Sequence, residues 1–304
     1  MKHPAKLLIF FLPILAALCL SSPCGLWADD ALFIGNSFTF GGAEKIICQH
    51  GGVPKLVEAI AASKKKNLST LMLTAPGRDW GFHLRQPKTE EDLNAKIWNW
   101  VVLQDFSTQP THIGKPDDFF NNGETLDNRI MQHSPKAIVV LYETWARPKG
   151  NPLYTGISTP RTFVDTAQMN DEVQKHYTEL YQRLEAINPP THVELAPVGL
   201  AFERSVEKYP DINLYCSDLY HANTNGSYLA ALVIYATIYK ESPVGAPHEF
   251  FGLSLNVGAA AKLQEIANEV TSQKVQQRAS LEANSAISIT ANLTTPRTSG
   301  PPAP

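Results

Sequence analysis

A doubly wound α/β sandwich is the fold class this chain predicts, and three observations predict it. Short, almost continuously apolar runs recur along the sequence, and helical patterns separate them. Runs of that kind suit strands buried on both faces of a parallel sheet better than strands alternating in and out. The residues able to do chemistry follow the runs rather than interrupt them. Right-handed crossovers then place every strand's C-terminal end on one edge of the sheet, and ligands bind in the crevice at that edge.

The N-terminus comes before the fold. Lys2 and Lys6 precede "LLIFFLPILAALCL", and "SSPCGLWADD" then offers a cleavage site after Ala28. The apolar stretch is too short and too early for a membrane span, so residues 1–28 are predicted to be an export signal peptide. Pro23 stands before Cys24, where a lipoprotein would carry a small residue. The mature chain is therefore expected to begin near Asp29, in the periplasm or outside the cell, with no stable membrane anchor. Cys19 and Cys24 leave with the signal, and Cys48 and Cys216 remain, as a disulfide or as two thiols.

The domain is expected over 29–280. Its first strand, "ALFIG" (31–35), runs into Gly35-Asn36-Ser37, with Gly41 and Gly42 just beyond and a helix over 42–62. The second, "LSTLMLT" (68–74), is followed by "APGRDWGFHL", with Gly77 in a tight turn, and by a helix over 89–97. The third, "WVVLQ" (100–104), ends on Gln104 before a helix over 117–133. The fourth, "AIVVLYE" (137–143), leads to Trp145 and Arg147 and an aperiodic stretch over 146–168, long enough to be a substrate-covering loop or an insert. A helix over 170–187 precedes the fifth strand, "HVELAP" (192–197). "CSDLYHANTNG" follows, with Asp218 and His221 three apart, and then helices near 224–240 and 257–280. Residues 281–304, rich in Ser, Thr, Ala and Pro, read as a disordered tail.

Composition narrows the function classes. The 304 residues are 43% hydrophobic and 18% charged, with a net charge of −3. One α/β domain absorbs most of that length. No basic stripe is present, so nucleic acid is not an expected partner. "SKKKN" (63–67) reads as a solvated turn. No CxxC, HxH or HExxH spacing occurs, so neither a structural nor a catalytic metal is expected.

Ser37 alone admits several roles: turn residue, helix cap, phosphate-loop hydroxyl or nucleophile. A phosphate loop would need G-x-x-x-x-G-K-[ST] and a dinucleotide site G-x-G-x-x-G, and the chain has neither. Acyl transfer needs a nucleophile, a base, a group that orients the base, and donors for the oxyanion. Ser37, a glycine N–H at Gly77, the Gln104 amide and Asp218-x-x-His221 follow successive strands in that order. Asp218 can accept from His221 Nδ1 and leave Nε2 for the Ser37 proton.

At these residues the sequence resembles the SGNH hydrolases, the GDSL-like esterase superfamily, over about residues 31–240. "FIGNSFTF" matches the first block with Ser37 at the nucleophile and Asn36 where Asp is usual. Gly77 fits the second block, "VVLQDFS" puts Gln104 where the third normally carries Asn, and Asp218 and His221 match the last. "GNS" with "VVLQ" marks a branch of largely unassigned specificity. The resemblance implies a flavodoxin-like α/β/α sandwich of about five parallel strands. It also implies a Ser37-His221-Asp218 triad and an oxyanion site built from the Ser37 and Gly77 N–H groups and the Gln104 amide. No cofactor is implied.

The expected activity is hydrolysis of a carboxylic ester, a small molecule or an acylated glycan, with a short acyl ester on carbohydrate as the foremost candidate. A phosphoesterase is the third reading, and it would need metal ligands near Ser37. Asn36, Trp145 and Arg147 are candidate substrate contacts, Trp145 and Arg147 being set against a core Trp and a solvated Arg. The alternative is a binding module on the same fold, fed by the departures at Asn36 and Gln104.

Overall fold

The structure is a computed structural model, and it describes residues 28–156, 162–187 and 192–272. The signal peptide expected over 1–28, apart from Ala28, and the tail expected over 281–304 lie outside the described residues. In chain order the elements are β1 (Asp29–Gly35), α1 (Ser37–Phe40), α2 (Lys45–Gln49), α3 (Gly52–Ser63), β2 (Leu68–Thr74), α4 (Trp80–Leu84), α5 (Pro87–Asn94), β3 (Trp100–Leu103), α6 (Pro116–His133), β4 (Ile138–Tyr142), α7 (Pro152–Thr155), α8 (Thr166–Ile187), β5 (Val193–Ala196), α9 (Val198–Lys208) and α10 (Thr224–Tyr239). A two-strand hairpin, β6 (Glu249–Phe250) with β7 (Leu253–Ser254), and a helix over 257–272, here α11, complete it.

The main sheet is entirely parallel in the order β2-β1-β3-β4-β5. The central strands are mostly apolar because their side chains find a core on each face, while the edge strand β2 is only partly buried. Ala31, Phe33, Val102, Val140 and Tyr142 pack with α3, α9 and α10 on one side. Leu32, Ile34, Val101, Leu103, Val139 and Leu141 pack with α6 and α8 on the other. The result is the three-layer sandwich the sequence predicts. On the α10 side a further layer is added locally: Leu263, Ile266 and Val270 of α11 join the same core. Gln264 Nε2 of α11 donates to Tyr228 Oη at 2.8 Å. That cover explains why α10 carries apolar residues around its whole circumference.

The strand order places β1 between β2 and β3, so the chain reverses its direction of travel across the sheet at β1. Such a switch point opens a crevice at the C-terminal ends of the strands. The segments bordering it begin with Asn36, Ala75 and Gln104.

Helix boundaries differ from the sequence expectation where glycine intervenes. The helix expected over 42–62 is two helices, because Gly51 and Gly52 both take positive φ between them. The stretch over 146–168 holds the short α7 and the start of α8, and α9 and the β6–β7 hairpin lack a clear sequence signal.

Candidate active site

β1 ends at Gly35, and Ser37 opens α1 directly after it. The corner is tight. A Cβ on Gly35 would lie 2.4 Å from Thr39 Oγ1 and 2.7 Å from Gln104 Oε1, so only glycine fits between the strand and the helix it feeds. Asn36 Oδ1 accepts from Phe38 N–H at 3.1 Å and caps α1. Ser37 N–H, as the first helical N–H, has no hydrogen-bond partner among the described residues. The next turn folds back, with Gly42 N–H donating to Ser37 O at 2.8 Å. A Cβ on Gly42 would sit 2.5 Å from Ser37 Cβ and 3.3 Å from His221 Nε2. Gly42 thus lies against the pair and leaves room for it.

The loop between α9 and α10 brings the rest. Asp218 Oδ1 accepts from the N–H groups of Tyr220 (2.9 Å) and His221 (3.0 Å), closing a turn that places the imidazole beside its own carboxylate. Asp218 Oδ2 then lies 2.7 Å from His221 Nδ1. An ionised carboxylate can only accept, so Nδ1 carries the proton and Nε2 presents its lone pair. Ser37 Oγ is 2.9 Å from that Nε2. Burial pushes the Asp218 carboxyl up, but the donors from His221 and Tyr220 outweigh it and hold its pKa below the ordinary value. The structure therefore brings Ser37, His221 and Asp218 into one hydrogen-bonded row.

Gln104 is placed differently from the expectation. Its Oε1 accepts from Asn36 N–H (3.0 Å) and Thr39 Oγ1 (2.9 Å), and its Nε2 donates to the Asp105 carbonyl. The side chain is 1% exposed. The amide head lies beneath the nucleophile corner as a clamp rather than facing the crevice as an oxyanion donor. The extra methylene of Gln over Asn carries the head past the strand end to the Asn36 N–H. Gly77 keeps an exposed turn at φ +65°, and its N–H has no partner among the described residues. Asn36 Nδ2 ties that turn to the nucleophile corner by donating to Arg78 O at 2.9 Å.

The three candidate substrate contacts are all buried. Asn36 spends its side chain on the cap and the Arg78 tie. Trp145 is stacked between Phe38 (4.2 Å) and Phe202 (4.3 Å) and is wholly enclosed, so it is core and not a binding surface. Arg147 is enclosed too: its Nη2 donates to Ser107 Oγ at 2.7 Å, and burial lowers its pKa to about 10. Cys48 and Cys216 are free thiols, Cys48 exposed and Cys216 half-buried. His83, beside Trp80, is buried with Nε2 donating to Gly35 O at 2.9 Å, a packing role at the end of β1. Among the described residues no group of three His, Cys, Asp or Glu could hold a metal ion, and no helix is long and apolar enough to cross a membrane.

Two residues that shape the candidate site went unread in the sequence. Gly42 was visible only as half of a glycine pair. Asn151, whose Nδ2 donates to Leu219 O at 2.8 Å, sits in the aperiodic stretch and gave no signal.

No family model and no curated protein matches the chain. Solved structures do. A DUF4886 family protein from Bacteroides uniformis is 15% identical, with a TM-score of 0.58 over 80% of this chain and 94% of that one. LAE5, an alpha/beta hydrolase enzyme from the metagenome of Lake Arreo, Spain, is 18% identical, with a TM-score of 0.51 over 70% of this chain and 97% of that one. The chain shares the three-layer α/β/α fold of these structures. At these identities the likeness establishes the fold, and the chemistry is read from the site.

Proposed function

We propose that this chain is an exported serine esterase that cleaves a carboxylic ester through an acyl-enzyme. One observation carries the reading: Ser37 Oγ, His221 and Asp218 stand in a continuous hydrogen-bonded row at the sheet's switch point. Ser37 Oγ attacks the ester carbonyl as His221 Nε2 takes its proton. The same imidazolium then protonates the departing alcohol. Asp218 fixes the tautomer and stabilises the charged ring. Water attacks the acyl-enzyme in the second half, again with His221 as base. The Ser37 and Gly77 N–H groups, both unpaired and at the same edge, serve the oxyanion. Gln104 acts on this pair from below through Asn36.

The preferred substrate in this reading is a short acyl ester on a carbohydrate. It draws on the predicted export and on charged residues bordering the catalytic segments, Arg78, Asp79 and Asp218. That LAE5 is described as a hydrolase enzyme supports the reaction class. A second reading, a binding module that has lost turnover, draws on Gln104, whose amide is spent in the corner and leaves the oxyanion one donor short of the family pattern. Losing one such donor costs on the order of 100-fold in rate.

A fluorophosphonate distinguishes the two. The esterase reading expects covalent labelling of Ser37 and hydrolysis of p-nitrophenyl acetate, both abolished in Ser37→Ala. No labelling, and turnover equal to that of Ser37→Ala, would establish the binding module. Acetylated oligosaccharides set against long-chain p-nitrophenyl esters test the substrate class. Sequencing the N-terminus of protein secreted from the full chain tests export, with Asp29 as the expected first residue.

A further inference from the structure

Arg147 is hard to explain as a packing residue. It is 4% exposed, and its Nη1 has no hydrogen-bond partner among the described residues. Among the described residues its one side-chain hydrogen bond goes to a neutral hydroxyl, Ser107 Oγ. The titratable groups facing it are three tyrosines, Tyr154, Tyr215 and Tyr220, which are neutral, and Asp218. A buried cation without a carboxylate partner is costly, and an apolar side chain of similar volume is usually as stable or more so. Something other than stability accounts for it here.

Its surroundings say what. The guanidinium lies over the Tyr220 ring at 3.8 Å and faces the Phe38 ring at 5.6 Å. Phe38 follows the nucleophile in sequence, and Tyr220 precedes the base. Both rings also touch His221: Tyr220 meets the imidazole edge-on at 4.3 Å and Phe38 does so at 5.8 Å. Phe38 and Tyr220 are 5.1 Å apart. A planar cation against two aromatic faces is attracted to both, and more strongly when water is excluded. The Ser107 bond adds the segment after β3. Three separate segments, after β1, after β3 and between α9 and α10, therefore meet on one guanidinium, behind the two rings that touch His221.

The loop that carries His221 needs such a support. Leu219, between Asp218 and Tyr220, takes φ +53°, a strained conformation for a branched residue. The segment after β4 grips this loop elsewhere as well: Trp145 Nε1 donates to Tyr220 O at 3.3 Å and Asn151 Nδ2 to Leu219 O. Arg147 supplies the contact to the side chain next to the base.

We propose that Arg147 is a positioning residue: its guanidinium, packed against Tyr220 and Phe38 and tied to Ser107, sets the register of His221 against Ser37. The proposal rests on the esterase reading of the same site. It accounts for a buried cation retained at a cost in stability.

The test compares Arg147→Met, which keeps volume and loses the charge, with Arg147→Lys, which keeps the charge and loses the plane. Three quantities are read: the rate of fluorophosphonate labelling of Ser37, kcat and KM on p-nitrophenyl acetate, and Tm. Arg147→Met is expected to label and turn over at least tenfold more slowly, with KM within twofold and Tm equal or higher. Arg147→Lys should recover part of the rate. Tyr220→Leu removes the ring and leaves Arg147 in place, and it should lose a similar factor in kcat. Should Arg147→Met fail to fold, an unchanged kcat in folded Tyr220→Leu still overturns the proposal. So does labelling of Arg147→Met at the parental rate, or a rate loss that only tracks a lower Tm. A parent protein that neither labels nor turns over sinks the esterase reading itself, an outcome distinct from parental labelling with an indifferent Arg147.

Discussion

The two halves of the candidate site are built in opposite ways. The nucleophile corner is enclosed: Asn36 is 2% exposed and Ser37 7%, and a ring of short contacts from Gly35, Thr39 and Gln104 leaves it no alternative arrangement. The Asp218–His221 loop stands at the surface, with the Asp218 side chain 40% exposed and a left-handed Leu219 at its centre. The corner is held by steric exclusion and buried amides. The loop is held by a few side chains reaching across from the segment after β4. A nucleophile that must meet an incoming ester at a fixed angle gains from rigidity. A base that must accept and return a proton tolerates a softer mount, provided a few anchors keep its distance. Substitutions in the corner should therefore act through geometry and folding, and substitutions behind the loop through rate alone.

Outside the Ser37–His221–Asp218 row, the largest loss of turnover is expected from Gly42→Ala. Its φ is not in the left-handed region, so the backbone tolerates the change, but the new Cβ would stand 2.5 Å from Ser37 Cβ. Displacing reacting groups by about 1 Å costs on the order of 100-fold. The measurement is kcat/KM with circular dichroism as a control; parental kcat/KM would mean the Ser37 turn is softer than the packing implies.

Gln104→Ala comes next and affects both stability and rate. It leaves Asn36 N–H, buried at the corner, without an acceptor, which costs about 1–3 kcal/mol. Urea unfolding should show that loss, accompanied by a fall in kcat. A fully stable Gln104→Ala with reduced kcat would instead assign the amide to the oxyanion, reversing the comparison drawn above.

Asn151→Ala tests the other half. It removes the donor on Leu219 O and one cap of α7. Turnover should fall roughly tenfold, about 1.4 kcal/mol in barrier height, with little change in Tm. Adding Leu219→Gly, which relaxes the positive φ, should restore part of that loss. No effect of either would show that Trp145 and Arg147 suffice to hold the loop.

The same contrast explains what could be read from the sequence. The central strands came through because burial on both faces demands unbroken apolar runs, as in β3 and β4; the partly exposed edge strand β2 nevertheless matches its expected bounds of 68–74. Ser37, Asp218 and His221 were legible because chemistry restricts the residue types and topology fixes their order. Gln104 was legible as a residue and not as a role, since one methylene decides where the amide head arrives. Trp145 and Arg147 were expected at the site edge behind β4 and are buried instead, because strand order alone cannot distinguish the crevice from the layer beneath it. Asn151 acts through a single hydrogen bond across 68 residues, and no periodicity encodes that.

The smallest effect on turnover is expected at Asp105, which acts on the corner through folding. Its Oδ1 accepts from Trp80 N–H (2.8 Å) and Phe106 N–H (2.7 Å), while Oδ2 is buried with no partner among the described residues. Burial pushes this carboxyl up to about 8, against those two donors. The unfolded chain releases the proton near pH 4 and the folded protein only near 8. Between those values the native state binds more protons, so this group makes stability fall as pH rises, by up to about 1.4 kcal/mol per pH unit. Asp105→Asn keeps the acceptor toward Trp80 and Phe106 and removes the ionisation. Its unfolding midpoint should match the parent near pH 4 and exceed it increasingly toward pH 8, with kcat nearly unchanged at pH 6. Parallel pH profiles for the two proteins would mean that Asp105 is ionised in the fold, with its charge balanced from the crevice side.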